Sequence, residues 1–159
     1  AHLIAQIACG IYISIAICLL QGLEPKSAYL QGIENVKKVY DQPSDRLEIT
    51  SSFQKIFSGN IDTLPVDEIQ SGGYVIHTLE ASVWCLLKTS SYAEAVLTAV
   101  NLGEDTDTTA AVTGGLAGIY YGFEKIPQEW VAQIARKEDI TNLVNSLEIA
   151  ISSNNSNLF

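Results

Sequence analysis

The chain has 159 residues, of which 47% are hydrophobic and 17% are charged, with four prolines. That composition excludes a disordered polymer, and the length suffices for one domain that buries roughly two-thirds of its unfolded surface. The formal net charge of −9 argues against a nucleic-acid surface, which needs clustered Lys and Arg. We therefore expect a single domain over residues 1–159 that binds no nucleic acid.

The three cysteines, Cys9, Cys18 and Cys85, are an odd number, and each lies in an apolar run. None has the Cys-x-x-Cys or Cys/His spacing of a redox or zinc site. The sequence predicts buried, reduced thiols in a cytoplasmic protein.

The first apolar run, residues 3–20, contains no charged residue and is long enough for a transmembrane helix. Gln6, Gly10 and Ser14 recur every four residues, however, and give the run one small or polar face. No Lys or Arg precedes Lys26, so the usual flanking signal of a membrane span is missing. We favour a buried helix of a soluble protein over a membrane span.

The rest of the chain shows helical spacing of apolar residues and no strand alternation, which predicts an all-α protein. Breaks are expected at Gly22, at residues 42–45, at Gly59 and at Gly103, and residues 62–73 read as a surface loop of functional interest. A Ser/Asn tail that frays should follow the last helix. The further helices are predicted at 25–39, 46–58, 74–87, 92–102, 108–122, 127–135 and 140–151.

Glycines in the helix predicted at 108–122 need a compensating contact, because each costs up to about 1 kcal/mol relative to alanine. The spacing puts Gly115, Gly118 and Gly122 near one face. We expect a neighbouring helix to approach there, with Gly10 and Ser14 of the first helix as the facing residues.

Between two helices lies an acidic segment in which Asp105 and Asp107 are separated by one residue and followed by Thr108. Carboxylates and hydroxyls are the ligands that hard cations such as Mg²⁺ and Mn²⁺ prefer. The same residue types also cap the start of a helix. From spacing alone capping is favoured over a metal site, because two aspartates are too few ligands.

Several ordered motifs between residues 71 and 130 resemble the C-terminal half of the ADP-ribosylglycohydrolases, a family that includes the dinitrogenase-reductase-activating glycohydrolases. The pair Ala1-His2 is similar to a Thr-His pair that opens a long helix in the family, with alanine in place of threonine. The motifs are SGGYVIHTLEA at 71–81, Trp84, AVNLGEDTDT at 99–108, GGLAG at 114–118, YG at 121–122 and IPQEW at 126–130.

The resemblance implies an orthogonal multi-helix bundle with a two-metal Mg²⁺ or Mn²⁺ centre. In the family that centre binds the ribose of ADP-ribose and hydrolyses its N- or O-glycosidic bond to a protein side chain or another acceptor. Asp105, Asp107 and Thr108 match the metal ligands that the C-terminal half supplies. A metal pair can orient a water and the ribose hydroxyls together, which makes the chemistry coherent.

The resemblance also implies substrate-binding residues. Ser71, Gly72, Gly73 and Tyr74 match a loop beside the substrate cleft, and His2 matches a position near the bound nucleotide. ADP-ribose or an ADP-ribosylated protein is thus the expected partner. For Tyr74 a second interpretation stays open, a half-buried aromatic residue at the start of a helix.

The chain also departs from the family pattern. The upstream segments that supply the other metal ligands and the catalytic acid or base are not among these residues, and Glu104 stands where the family more often has glycine. We therefore expect little activity from the chain alone, and either a homodimer or association with an N-terminal half. A non-catalytic helical module with residual metal or nucleotide binding is the alternative, and the acceptor, whether arginine, serine or a small molecule, stays open.

Overall fold

The computed structural model describes residues 2–40 and 50–155. Within these ranges the secondary structure consists of helices and turns without a strand, which confirms the predicted all-α class. Short 3₁₀ turns lie at Ile61–Thr63, Val66–Glu68 and Phe123–Lys125. The α-helices are α1 (Leu3–Leu20), α2 (Pro25–Val39), α3 (Gln54–Phe57), α4 (Val75–Lys88), α5 (Tyr92–Asn101), α6 (Thr106–Tyr121), α7 (Gln128–Gln133) and α8 (Lys137–Asn155).

The contacts divide the chain into two compact units, one up to Lys125 and one from Ile126 onward. The first unit contains α1 to α6 and every residue that the sequence proposes for a site. The second contains α7 and α8. The single domain that the sequence predicts stays a prediction.

Helix α1 is long and apolar enough to cross a membrane by length and composition, and 44% of it is buried. It packs mainly against α2 and also contacts α4 and α6. Ile7, Ile11 and Ile15 are fully buried in these contacts, whereas Ile17 and Leu20 are 49% and 71% exposed. One face of α1 therefore belongs to the core of the first unit, which favours the interpretation as a buried helix.

Glycine brings α1 and α2 close together. A Cβ atom added at Gly32 would lie 2.7 Å from Cγ1 of Ile15 and 3.0 Å from its backbone nitrogen. At Gly10 an added Cβ would meet only Val36 and Tyr40, both at 3.9 Å. Gly32 is thus the glycine that the α1–α2 contact requires.

The sequence predicts that Gly10 and Ser14 of α1 face the glycines of α6. This prediction is wrong, although α1 does contact α6. Gly10 faces α2 instead, and the hydroxyl of Ser14 accepts a hydrogen bond from Asn35 of α2. Tyr12 of α1 makes the close approach to α6. A Cβ atom added at Gly115 would overlap the Tyr12 hydroxyl. Tyr12, two residues after Gly10 and thus on a different face of α1, therefore takes the role assigned to the small residues.

Other differences concern helix ends. Helix α6 begins at Thr106, two residues earlier than predicted, and ends before Gly122, whose φ is +85°. Helix α8 continues to Asn155, so the fraying expected from residue 152 is wrong for residues 152–155. The predicted break at 42–45 and the start of the helix predicted at 46–58 lie outside the described residues.

Candidate functional site

The loop at residues 71–74 is joined to the turn that precedes α6. The backbone N–H of Asp105 donates to the carbonyl oxygen of Ser71 over 3.1 Å. The Ser71 hydroxyl donates in turn to the carbonyl oxygens of Gly103 at 3.0 Å and of Leu102 at 3.4 Å. Ser71 is only 3% exposed, so water competes little with the hydrogen bonds of its side chain.

Two glycines let this loop approach the acidic segment. A Cβ atom at Gly73 would lie 2.9 Å from Oδ2 of Asp105, and one at Gly72 would lie 2.7 Å from Oε2 of Glu104. Contacts that short are closer than a carbon and an oxygen approach without a shift. The structure thus brings together Gly72, Gly73 and Asp105, which the resemblance assigned separately to substrate and metal.

The turn before α6 carries two successive residues in the left-handed region. Gly103 has a φ of +87°, as its predicted role at a helix end requires, and Glu104 has a φ of +55°. An L-residue in this region is disfavoured by contact between its Cβ and the backbone, whereas glycine is not. This gives a physical reason for the glycine that the family more often has at the position of Glu104.

Asp105 occupies the N-cap position of α6, but its side chain makes no capping hydrogen bond. The Oδ1 atom of Asp107 accepts a hydrogen bond from the backbone N–H of Thr108 at 2.9 Å. That bond, and next a hydrogen bond with the Asp105 side chain, lower the pKa of Asp107. The capping interpretation therefore fails for Asp105, and the two carboxyl groups lie next to each other.

The donor chemistry at this turn fits a hard cation, because Asp105, Asp107 and Thr108 offer carboxylate and hydroxyl oxygens on one stretch of backbone. Within residues 2–40 and 50–155, no three His, Cys, Asp or Glu side chains converge as a metal site would require. The described chain thus offers part of a coordination shell.

Tyr74 and His77 lie at the start of α4. Tyr74 is the N-cap residue and is 51% exposed. Its ring and that of His77 are nearly perpendicular, with their centroids 5.2 Å apart. A half-exposed aromatic at a helix start is what the second interpretation of Tyr74 expects. The same exposure leaves the ring accessible to a ligand.

His2 has a local structural role. It is the N-cap residue of α1, and its Nδ1 accepts a hydrogen bond from the backbone N–H of Ile4 at 3.3 Å. No hydrogen bond of the described residues joins His2 to the 71–74 loop or to the acidic segment. Its proposed contact with the nucleotide stays a prediction.

An apolar cleft of about 570 Å³ lies among α1, α4 and α6, with Gly73 and Thr108 in its wall. Cys9 lines this cleft and is exposed, so the prediction that all three cysteines are buried is wrong for Cys9. Cys18 and Cys85 are buried, and burial raises the pKa of Cys85 to about 12. The other lining residues are Ala8, Tyr12, Ile13, Val75, Thr78, Leu79, Ala111 and Val112.

A second, polar cavity of about 260 Å³ lies against Tyr74 and His77. Glu80, one turn along α4 from His77, forms part of its lining and is 4% exposed. Burial raises the pKa of Glu80, and Lys55 lowers it to a smaller extent. The other lining residues are Ser51, Ser52, Gln54, Lys55, Gln70 and Ile76.

The sequence model of the ADP-ribosylglycohydrolases matches residues 1–157. The chain belongs to the ADP-ribosylglycohydrolase family. Membership agrees with the helical fold and confirms the resemblance read from residues 71–130.

Individual ADP-ribosylglycohydrolases show how much of such a protein is present. The ADP-ribosylarginine hydrolase Tri1 of Serratia proteamaculans is 41% identical over 112 residues, which are 61% of this chain and 31% of that protein. The ADP-ribosyl-[dinitrogen reductase] glycohydrolase of Rhodospirillum rubrum is 34% identical over 68 residues, 43% of this chain and 23% of that protein. The human ADP-ribosylhydrolase ARH3 is 27% identical over 93 residues, 52% of this chain and 26% of that protein. The chain thus spans about a third or less of the length of these relatives.

In this ADP-ribosylglycohydrolase, a hydrogen bond joins the proposed substrate loop to the segment of the proposed metal ligands. His2 instead has a recorded hydrogen bond to Ile4 in its own helix. The metal and substrate roles of these residues stay predictions. Sequence reasoning missed Glu80, and it left His77 as a surface or core histidine. A signal was present, because Glu80 is an acidic residue three positions after His77 in a helix rich in apolar residues.

Proposed function

We propose that this chain is the C-terminal part of a metal-dependent hydrolase that releases ADP-ribose from a modified side chain. The observation that carries the proposal is the junction of two segments. The Ser71 carbonyl holds the Asp105 backbone, and Gly73 admits the Asp105 carboxylate, which caps no helix. A carboxylate that makes no capping bond to the helix is available for a ligand.

Asp105, Asp107 and Thr108 would hold Mg²⁺ or Mn²⁺ together with oxygen ligands from an upstream part of the protein. A bound metal pair supplies a Lewis acid and an activated water for glycosidic hydrolysis. With part of the shell, the chain alone should release little ADP-ribose. We propose the catalytic acid or base to lie outside these residues, too.

Charge supports a role for the cation in substrate binding. The chain carries a net charge of −9, and three of its carboxylates, Glu104, Asp105 and Asp107, lie at this turn. The diphosphate of ADP-ribose would be repelled by such a surface unless cations offset it. The exposed Tyr74 ring and the backbone of Gly72 and Gly73 would then contact the ribose or the base.

The acceptor is proposed from the relatives. Two proteins at 41% and 42% identity, from Serratia proteamaculans and Pseudomonas putida, are named ADP-ribosylarginine hydrolases. The proteins named for dinitrogen reductase and ARH3 are less similar to the chain. We propose an arginine acceptor on an ADP-ribosylated cytoplasmic protein.

The exposed side of α1 supports a partner for the chain. Ile13, Ile17 and Leu20 are 54%, 49% and 71% exposed along one side of the helix. An apolar stripe of this kind is typical of a surface that another element covers. We propose that the upstream half, or a second copy in its absence, covers it, and a concentration-independent monomer in sedimentation analysis would contradict this.

The test is a chimera in which this chain replaces the matching region of the Serratia proteamaculans hydrolase. ADP-ribose release from an ADP-ribosylarginine protein is measured with Mg²⁺ and with Mn²⁺, for the chain alone and for the chimera. We expect the chimera to release ADP-ribose and the chain by itself to release little. Chelation of the metal should abolish release by the chimera. Asp105→Asn and Asp107→Asn should each reduce release by at least about tenfold, because each removes a charged ligand.

Two results would overturn the proposal. Full release by the Asp107→Asn chimera, with unchanged metal dependence, would exclude the proposed ligand. An inert chimera that still binds Mn²⁺ or ADP-ribose would instead favour the non-catalytic module.

A further inference from the structure

The polar cavity beside Tyr74 and His77 contains a buried carboxylate that the proposed metal chemistry does not use. Glu80 lines the cavity, and its side chain is 6% exposed. A carboxylate this deep normally receives several hydrogen bonds or a close ion pair, because its desolvation is costly.

Lys55 satisfies Glu80 only in part. Its Nζ atom lies 4.0 Å from Oε2 of Glu80, which is beyond hydrogen-bond distance. The same Nζ donates to the carbonyl oxygen of Glu68 at 2.7 Å, and the Lys55 side chain is 38% exposed. Among residues 2–40 and 50–155, the structure gives the Glu80 carboxylate no hydrogen-bond donor. Within the described residues, the cavity therefore presents a buried carboxylate whose only recorded partner is the distant ammonium of Lys55.

The surroundings favour a cation over an anion. A second carboxylate, that of Glu104, lies close to His77. A Cβ atom added at Gly72 would be 2.7 Å from Oε2 of Glu104 and 3.7 Å from Nδ1 of His77. The cavity itself is lined by one buried carboxylate, Glu80, and one exposed ammonium, Lys55, so a phosphate beside Glu80 would be repelled at close range. The half-exposed ring of Tyr74 offers a π face to a flat cation.

A guanidinium group matches these features. It is flat and permanently charged, and its five N–H donors can bind a carboxylate through two parallel hydrogen bonds. A volume of about 260 Å³ can accept the end of an arginine side chain. We propose that the cavity binds the guanidinium group of the acceptor arginine, with Glu80 as the residue that recognises it. The assignment to an acceptor rests on the proposed function, whereas guanidinium binding can be tested on this chain by itself.

The first experiment titrates agmatine, a small guanidinium compound, into the ¹⁵N-labelled chain and follows the amide signals of Tyr74 and His77 by NMR. N-carbamoylputrescine, in which a neutral urea replaces the guanidinium, is the control ligand. We expect agmatine to shift these signals and the urea to leave them unchanged.

Variants locate the effect. Glu80→Gln keeps the size of the side chain and should weaken agmatine at least about tenfold, as expected for loss of a charged hydrogen-bond pair. Lys55→Met removes the competing ammonium and should tighten agmatine several-fold. Glu94→Gln changes an exposed glutamate on another helix and should have no effect. Two results would overturn the inference. One is that the parent chain, Glu80→Gln and Lys55→Met all bind agmatine with equal affinity. The other is that N-carbamoylputrescine binds as well as agmatine.

Kinetics of the chimera separate this inference from the proposed function. We expect Glu80→Gln to raise KM for an ADP-ribosylarginine substrate about tenfold or more while KM for an ADP-ribosylserine substrate stays unchanged. An unchanged KM for ADP-ribosylarginine in an active Glu80→Gln chimera would refute the acceptor role and leave the proposed function intact. Agmatine binding by an inert chimera would refute the proposed function and retain the guanidinium site.

Discussion

The backbone N–H of Asp105 donates a hydrogen bond to the carbonyl oxygen of Ser71 over 3.1 Å. The bond joins residues that are far apart in the sequence and puts the proposed substrate loop and the proposed metal segment on one support. The Ser71 hydroxyl reinforces it by donating to the carbonyl oxygen of Gly103. Neither segment can shift alone without breaking these bonds.

Ser71→Ala should lower the free energy of unfolding by about 1 kcal/mol, because it removes the donor to the partly buried carbonyl oxygen of Gly103. Ser146→Ala is the matched control, since the Ser146 hydroxyl donates to Asn142 on an exposed helix surface. The control should change stability by less than about 0.5 kcal/mol. Urea unfolding followed by circular dichroism measures both, and equal effects would show that the Ser71 bond adds nothing.

Glu104→Gly should stabilise the chain by up to about 1 kcal/mol. It removes the cost of a left-handed L-residue, about 1–2 kcal/mol, but increases the entropy of the unfolded chain. Glu104→Ala removes the carboxylate and keeps the strained backbone, so it should not give this gain. A Glu104→Ala variant as stable as Glu104→Gly would assign the effect to charge instead of backbone strain.

Gly32→Ala should destabilise the first unit by about 1–3 kcal/mol, because its Cβ would press on the side chain and backbone of Ile15. Gly10→Ala tests the same helix pair where the nearest atoms, of Val36 and Tyr40, are 3.9 Å away. It should be neutral or stabilising by up to about 1 kcal/mol, since alanine favours a helix. The two variants should thus shift the thermal midpoint in different directions, and equal losses would contradict the contact geometry.

Glu80 should make the chain less stable as the pH rises. Burial raises the pKa of Glu80 in the folded state, so the folded chain binds more protons than the unfolded chain above the ordinary glutamate pKa of 4.5. Stability is then lost as the pH increases from 4.5 through the folded-state pKa. Glu80→Gln should remove that loss, which urea titrations between pH 4 and about 8 can measure.

Glu94 provides a control of opposite sign. The backbone N–H of Ser90 donates to its carboxylate and lowers its pKa. Stability from this group is present above the ordinary glutamate pKa of 4.5 and is lost as the pH falls through the lower folded-state pKa. Glu94→Gln should therefore lose stability at neutral pH, and the same pH response in both variants would contradict the assignment to Glu80.

Much of the fold could be predicted because apolar spacing and helix-ending glycines are local signals. The turn at Gly103 follows from a glycine after an apolar run, and its left-handed φ agrees. The partner of Gly115 could not be predicted in this way, because several small residues and one tyrosine of α1 competed for that contact. Which of them faces α6 depends on how three helices pack together.

The candidate site could be predicted in part for a similar reason. The motifs identified both the 71–74 loop and the acidic segment, but only the fold shows that Ser71 and Asp105 share a hydrogen bond. Sequence also could not decide whether Asp105 caps α6, since an N-cap position and a capping bond are different things. The spacing of His77 and Glu80 was a local signal, but the burial of Glu80 and the cavity around it depend on residues far away in the chain, such as Lys55, and could not be predicted.

Trp84 has a practical consequence for following the unfolding of this protein. Its Nε1 donates to the carbonyl oxygen of Leu64 at 3.0 Å, and the residue is 6% exposed. The chain has two tryptophans, and the other, Trp130, belongs to the second compact unit. A Trp130→Phe variant would therefore have one tryptophan, whose selectively excited emission would report separately on the unit that contains the candidate site.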